Sequence, residues 1–185
     1  MIEYMDTTSE DYDEIADLAE KYLTHGSAIK EEIHRKDAEG RYFGVKAVED
    51  GEIVGFYTYV DDCIEFTVPH PELEQRIAEL AGDEKIITGD AIFISPNHQR
   101  RGIGMEVSRR VSEHARRRGG KLFITEAWVH PDGSIPSRKA FLCNGEVVFE
   151  ETIPMFYQGL DQLGLECPIC GKNCVCGAQI QVHRL

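Results

Sequence analysis

Along this chain the apolar positions switch between a period of two and a period near four, and each switch marks a change of element. Residues 1–5 (MIEYM) read as a short strand. Ser9 with Asp11 offers N-cap chemistry for a helix whose apolar stripe is Ile15, Leu18, Ala19 and Tyr22. Gly26 ends that helix, and a second is expected from about Ser27 to Asp37. RYFGVKAVE (41–49) and EIVGFYTYV (52–60) are strands joined at Asp50-Gly51, a strong hairpin signal. Pro69 and Pro71 open a helix over PELEQRIAELAG (71–82), which the turn Gly82-Asp83 closes. KIITGDAIFIS (85–95) follows as a strand, and residues 102–118 as an amphipathic helix with Ile103, Val107, Val111 and Ala115 in one stripe. KLFITEAWV (121–129) is another strand, PSRKAFLCN (136–144) a short helix stopped by Gly145, and EVVFEETIPMFYQ (146–158) supplies one or two closing strands.

Early hairpins and a strand-helix-strand unit in the middle imply an α/β or α+β sandwich: a mixed, mostly antiparallel sheet with helices on both faces. The length, 185 residues, suits one domain plus a small appendage, drawn here as 1–160 and 161–185. No apolar run approaches the roughly 18 residues that span a bilayer. The acidic start lacks the basic and apolar regions of a secretory signal, so a cytoplasmic protein is expected. A net charge of −13 repels nucleic acid and anionic membrane alike. Against that background, eight of the 20 basic residues fall between Gln99 and Lys121. Such a cluster is either a solvated helix face or a local site for a small polyanion.

That cluster begins where the strand AIFIS runs through Pro96-Asn97-His98 into Gln99-Arg100-Arg101-Gly102-Ile103-Gly104 and opens a helix. The two glycines permit close backbone approach. The unpaired amides of a first helical turn, with the positive end of its dipole, make a cradle for a pyrophosphate. Neither a dinucleotide GxGxxG nor a P-loop GKS/GKT is present. A second signal lies in the tail, where Cys167, Cys170, Cys174 and Cys176 fall within ten residues. Four thiolates at this spacing can close a tetrahedral zinc shell that also drives local folding. An iron–sulfur cluster, or a set using His183 in place of one cysteine, are the alternatives.

The segment Gln99, Gly102, Gly104, with its preceding strand and the element order over about residues 1–158, resembles motif A of the GNAT superfamily of N-acetyltransferases. The resemblance implies that the backbone of Ile92, Phe93 and Ile94 pairs with the pantetheine arm of acetyl-CoA. Gln99, Arg100, Arg101, Gly102, Ile103 and Gly104 would then wrap the pyrophosphate, and the nearby arginines would meet the phosphates of the adenosine end. Counting back from Gly145, the position where this family often has a tyrosine acid holds Phe141, and the place of its helix-start asparagine holds Ser134. Both are expected beside the cosubstrate. The resemblance also implies a bulge in the motif-A strand.

Acyl transfer to an amine needs a proton acceptor near the thioester carbonyl. Asp90, on the motif-A strand, and Glu126, on the next, are the candidates, with His130 and Tyr57 behind them. Glu126 is favoured because its longer side chain reaches past a strand edge, whereas a bulge could turn Asp90 away. The function expected is transfer of an acetyl group from acetyl-CoA to a primary amine, on a small molecule or a protein; an acidic surface would suit a cationic acceptor. The competing expectation is a CoA-binding module without turnover whose knuckle docks a partner. A homodimer is left open.

Overall fold

The computed structural model of the chain describes residues 1–26 and 28–185. Seven strands form one sheet: β1 (Glu3–Asp6), β2 (Tyr42–Glu49), β3 (Glu52–Asp61), β4 (Ile86–Ile94), β5 (Leu122–Val129), β6 (Glu146–Ile153) and β7 (Gly177–Arg184), in the spatial order β1-β2-β3-β4-β5-β7-β6. Every neighbouring pair is antiparallel except β4 and β5, which run parallel. The helices are α1 (Tyr12–Tyr22), α2 (Ala28–Ala38), α3 (Pro71–Ala81), α4 (Ile103–Arg117) and the single turn α5 (Arg138–Phe141). Among the described residues no helix is long and apolar enough to cross a membrane.

Local chemistry accounts for most of these boundaries. Asp50 and Gly51 both take positive φ, 54° and 86°, the geometry a two-residue type I′ hairpin requires. The Thr8 amide donates to the Asp11 carboxylate, so the capping contact ahead of α1 involves Thr8 rather than Ser9. Pro71 sits at the start of α3, and the His70 amide donates to Glu74. The expected start of α2 at Ser27 lies outside the described residues.

One face of the sheet is covered by α4 and α5. The stripe Ile103, Val107, Val111 and Ala115 is buried there against Tyr57, Tyr59, Ile87 and Phe123. The opposite face carries α1 and α2 over β2 to β4. Beyond them, α3 and the cysteine-rich segment lie over β5, β7 and β6.

Two departures from regular pairing shape the middle of the sheet. In β4, Gly89 pairs with Tyr59 and Ile92 with Tyr57, so Asp90 and Ala91 together oppose Thr58 as a bulge. β4 and β5 pair only over Ile86–Thr88 and Leu122–Ile124, after which they part. The edge of β4 from Gly89 to Ile94 is therefore unpaired on its β5 side.

The tail corrects the sequence reading. Residues 161–185 were expected to form a separate extension, yet β7 lies inside the sheet, paired along its whole length with β5 and along most of it with β6. Ala178, Ile180 and Val182 are fully buried in the core under α3. The stretch 146–158 supplies only β6. The physical reason is that the edge of β5 turned away from β4 would otherwise be an open ladder in the core under α3, and buried backbone amides and carbonyls must be paired. The alternating residues after Cys176 supply that partner.

Candidate active site

The fork between β4 and β5 opens a cavity of about 630 Å³ that passes from one face of the sheet to the other. Gly89, Asp90, Ala91 and Ile92 form its β4 wall, and Glu126, Trp128 and His130 its β5 wall. α1 and α2 contribute Tyr22, Ile33 and Lys36, and Phe141 of α5 closes it from the α4 side. Pro168 and Ile169, between the first two cysteines of the tail, line it as well.

Beyond the fork, β4 leads into the glycine-bearing turn. Ile92 and Ile94 face α4, and Phe93 faces α1, stacked on Tyr22 at 5.0 Å. Gln99 bends back to donate to the Ile94 carbonyl at 3.2 Å. Arg100 and Gly102 both take left-handed backbone, φ 59° and 82°, and Gly102 occupies the N-cap of α4 without a side chain to satisfy the first-turn amides. Ile103 anchors the first turn in the core. A Cβ on Gly104 would meet Ile94 and Ala140 at 3.6 and 3.7 Å, ordinary contact distances. Packing alone therefore does not require glycine at 104.

Half of the basic cluster, four of its eight residues, is paired with acids. Arg101 and His98 meet Glu49, Arg109 bridges Glu106 and Glu113, Arg110 also takes Glu106, and Arg118 lies near Asp61 with its guanidinium over Phe43. Much of the cluster is thus the solvated helix face that was the plainer sequence reading. The turn itself still presents Arg100 and Arg101 at the open end of α4.

Both candidate carboxylates line the cavity, on the face opposite α4, but their surroundings differ. Asp90 is engaged: Tyr42 donates to it at 2.8 Å, and the buried Lys36 ammonium lies at 3.3 Å. Lys36 also reaches Glu65 at 3.1 Å and Glu32 at 3.5 Å. Burial works against its charge, but the carboxylates of Asp90 and Glu65 prevail and hold its pKa above the ordinary lysine value. Among the described residues Glu126 has no basic partner. It accepts from the Tyr157 hydroxyl at 2.6 Å and from the Thr67 amide at 3.0 Å. Burial pushes its pKa above the usual carboxylate range, and these two hydrogen bonds only partly restrain the rise. Tyr157 is itself buried and stacked on Trp128 at 4.2 Å.

The remaining sequence candidates separate. Phe141 is buried and lies against Tyr57, ring centres 5.7 Å apart. Ser134 sits in the exposed loop before α5, bonded to His130 and Asp132, and is not among the residues lining the cavity; Pro136 and Ser137 are. Tyr57 lines the cavity from β3. Sequence reasoning passed over Lys36, Trp128 and Tyr157, none of which belongs to a motif.

Cys167, Cys170, Cys174 and Cys176 bring their sulfurs within 4.8 Å of one another. Four sulfurs at about 2.3 Å from one ion stand about 3.8 Å apart, so the cluster has the dimensions of a metal site. Gly171, at φ 71°, lets the segment fold back so that Cys167 and Gly171 exchange backbone hydrogen bonds. His183 is committed elsewhere, between Thr125 and the Gly145 carbonyl. The ligand set available is therefore four thiols. β7 starts immediately after Cys176, and the Tyr157 amide donates to the Cys176 carbonyl at 3.4 Å, which ties the cluster to the Glu126 side of the cavity.

The model of the acetyltransferase (GNAT) family matches residues 3–143. No curated protein sequence matches the chain. Solved structures share the fold at low identity. A GNAT-family protein from Desulfovibrio desulfuricans is 18% identical with a TM-score of 0.64, covering 100% of this chain and 99% of its own. NAA60 of Arabidopsis thaliana, in complex with acetyl-CoA, is 13% identical with a TM-score of 0.66 and covers 100% of both chains. A GNAT family acetyltransferase from Elizabethkingia anophelis, with acetyl-CoA bound, is 16% identical with a TM-score of 0.61, covering 100% of this chain and 98% of its own. A family model spanning most of the sequence, over a sheet that forks ahead of a glycine turn and an open helix N-terminus, shows that the chain belongs to the acetyltransferase (GNAT) family.

Proposed function

We propose that this protein transfers an acetyl group from acetyl-CoA to a primary amine, with Glu126 as the base and a structural zinc held by Cys167, Cys170, Cys174 and Cys176. The observation that carries the reading is the fork itself: an unpaired β4 edge beside a partly buried carboxylate whose pKa is raised. The free edge at Ile92, Phe93 and Ile94 offers main-chain groups to the pantetheine amides. The first-turn amides of α4, with Gln99, Arg100, Arg101, Gly102, Ile103 and Gly104, offer a site to the pyrophosphate. Phe141 packs the acyl side.

At neutral pH an amine arrives mostly as ammonium. Glu126, as carboxylate, accepts that proton directly or through water, and its raised pKa narrows the gap to the amine. The freed nitrogen attacks the thioester carbonyl carbon, the carbon–sulfur bond breaks, and the thiolate leaves with the bonding electrons and takes up the second proton shed by the nitrogen. Asp90, already held by Lys36 and Tyr42, is better placed to attract a cation than to exchange protons. Glu32, Glu65, Asp90 and Glu126 all line the cavity against the single Lys36, which favours a cationic acceptor. Zinc, bound by four thiolates, would supply structure and no open coordination position.

The test is binding followed by turnover. Acetyl-CoA should raise the melting temperature of the wild type, and an amine panel followed by CoA release should identify the acceptor. Glu126→Gln should lower kcat/KM by about 10²-fold or more, the usual scale of general base catalysis. No thermal shift with acetyl-CoA would sink the reading.

A further inference from the structure

The fold of this chain puts one buried polar group at the fork that neither the zinc cluster nor the Glu126 network uses. Tyr57, on β3, is 1% exposed, and its hydroxyl has no hydrogen-bond partner among the described residues. Leaving such a group unpaired is costly, a cost tolerated when a ligand completes it.

The hydroxyl stands at the apex of the fork. Gly89 is the first residue of β4 beyond its last pair with β5, Thr88 with Ile124. A Cβ on Gly89 would come within 2.5 Å of the Tyr57 oxygen and 3.2 Å of the Ile124 carbonyl. Glycine at 89 therefore keeps open the space into which the phenol reaches. The ring is held by Phe123, 5.9 Å away and edge-on, and by Phe141 at 5.7 Å. It has no room to swing out, and Tyr57 lines the cavity. The Asn144 amide nitrogen, the neighbouring polar group, is likewise buried and unpaired, while its oxygen accepts from Ser112 at 2.9 Å. That nitrogen can only donate, so although it neighbours the Tyr57 oxygen it offers the phenolic proton no acceptor.

We infer that Tyr57 is a further catalytic residue, whose hydroxyl donates a hydrogen bond to the carbonyl oxygen of the bound thioester. This rests on the acetyl-CoA reading above. Burial pushes the phenol well above its ordinary pKa, with Asn144 pulling only weakly the other way, so it works as a neutral donor and keeps its proton. As the amine nitrogen bonds to carbon, the carbonyl electrons move to oxygen, and the Tyr57 O–H stabilises the resulting oxyanion. When the oxyanion reforms the carbonyl, the carbon–sulfur bond breaks and sulfur takes the electron pair. Glu126 already holds the ammonium proton, so the second proton that nitrogen sheds goes to the departing thiolate, and none leaves Tyr57. A donor of this kind contributes about 10²–10³-fold to kcat.

Tyr57→Phe keeps the ring and removes only the orphaned hydroxyl, so the ligand-free variant should be as stable as wild type or more so. Its acetyl-CoA turnover should fall about 100-fold, and its preference for acetyl-CoA over free CoA, which has no thioester carbonyl, should shrink. In infrared difference spectra with ¹²C- and ¹³C-labelled acetyl groups, the carbonyl stretch bound to wild type should lie below its value in water. In Tyr57→Phe it should move back up. The wild-type spectrum needs no variant, so a bound carbonyl stretch no lower than in water overturns the inference even if Tyr57→Phe misfolds. Equal loss of apo stability and of both CoA affinities would make Tyr57 structural and also overturn it. Failure of wild type to bind acetyl-CoA at all would instead remove the acyltransferase reading on which it stands.

Discussion

Replacing Tyr157 by Phe should raise the pKa of Glu126 and carry the acid limb of activity with it. The phenol donates to Glu126 Oε1 at 2.6 Å in a setting where burial already disfavours the carboxylate. A hydrogen bond to a charged acceptor contributes about 1.5–3 kcal/mol. At 1.36 kcal/mol per pKa unit, its loss corresponds to roughly one to two units upward. The ring would stay stacked on Trp128, 4.2 Å away, so the wall of the cavity should survive. The measurement is kcat/KM against pH with an accepted amine, wild type beside Tyr157→Phe, with ¹³C NMR titration of the Glu126 carboxyl as a readout free of the acceptor. The acid limb and the NMR midpoint should both move up together. A limb that stays in place, or moves down, would refute the assignment of Glu126 as the base restrained by Tyr157.

Glu126 also predicts a pH dependence of stability. Because its folded pKa is raised, the folded state holds the proton more tightly than the unfolded chain, so stability falls as pH rises from the ordinary carboxylate value through the raised one. Urea midpoints for Glu126→Gln should lose that component of the slope; an unchanged slope argues against the burial account. Truncation after Gly164 should unfold the protein, because it deletes β7 with the fully buried Ile180 and Val182 and opens the ladders of both β5 and β6. Those two side chains alone represent about 3–6 kcal/mol, against a typical total stability of 5–15. A truncated chain with a cooperative melt would contradict this. Elemental analysis should give one zinc per chain, and chelation should lower the melting temperature and weaken acceptor binding through Pro168 and Ile169; iron with visible absorbance would correct the metal.

Much of the architecture was legible from local chemistry. The Asp50-Gly51 hairpin, the proline-started α3 and the Ile103-to-Ala115 stripe of α4 each depend on neighbours three or four residues away. Periodicity and turn residues report exactly that range. The glycine turn at Gln99 to Gly104 and the thiol set at Cys167 to Cys176 were legible for the same reason, since the residues of each are close in sequence. What the chain could not declare in one dimension was which distant groups meet. Asp90 and Glu126 stood as rival bases, with Glu126 favoured only for its reach, until folding surrounded Asp90 with Lys36 and Tyr42 and left Glu126 to Tyr157 and Thr67. The role of residues 177–184 was hidden behind the cysteines that precede them. Only the assembled sheet, a long-range outcome, brings the far edge of β5 and the edge of β6 to the two sides of β7. The parting of β4 and β5 opened the cavity and placed the Tyr57 hydroxyl at its apex. Burial, unlike periodicity, is a property of the assembled sheet, and it is burial that sets the proton affinity of Glu126 and leaves Tyr57 with a hydrogen bond to give.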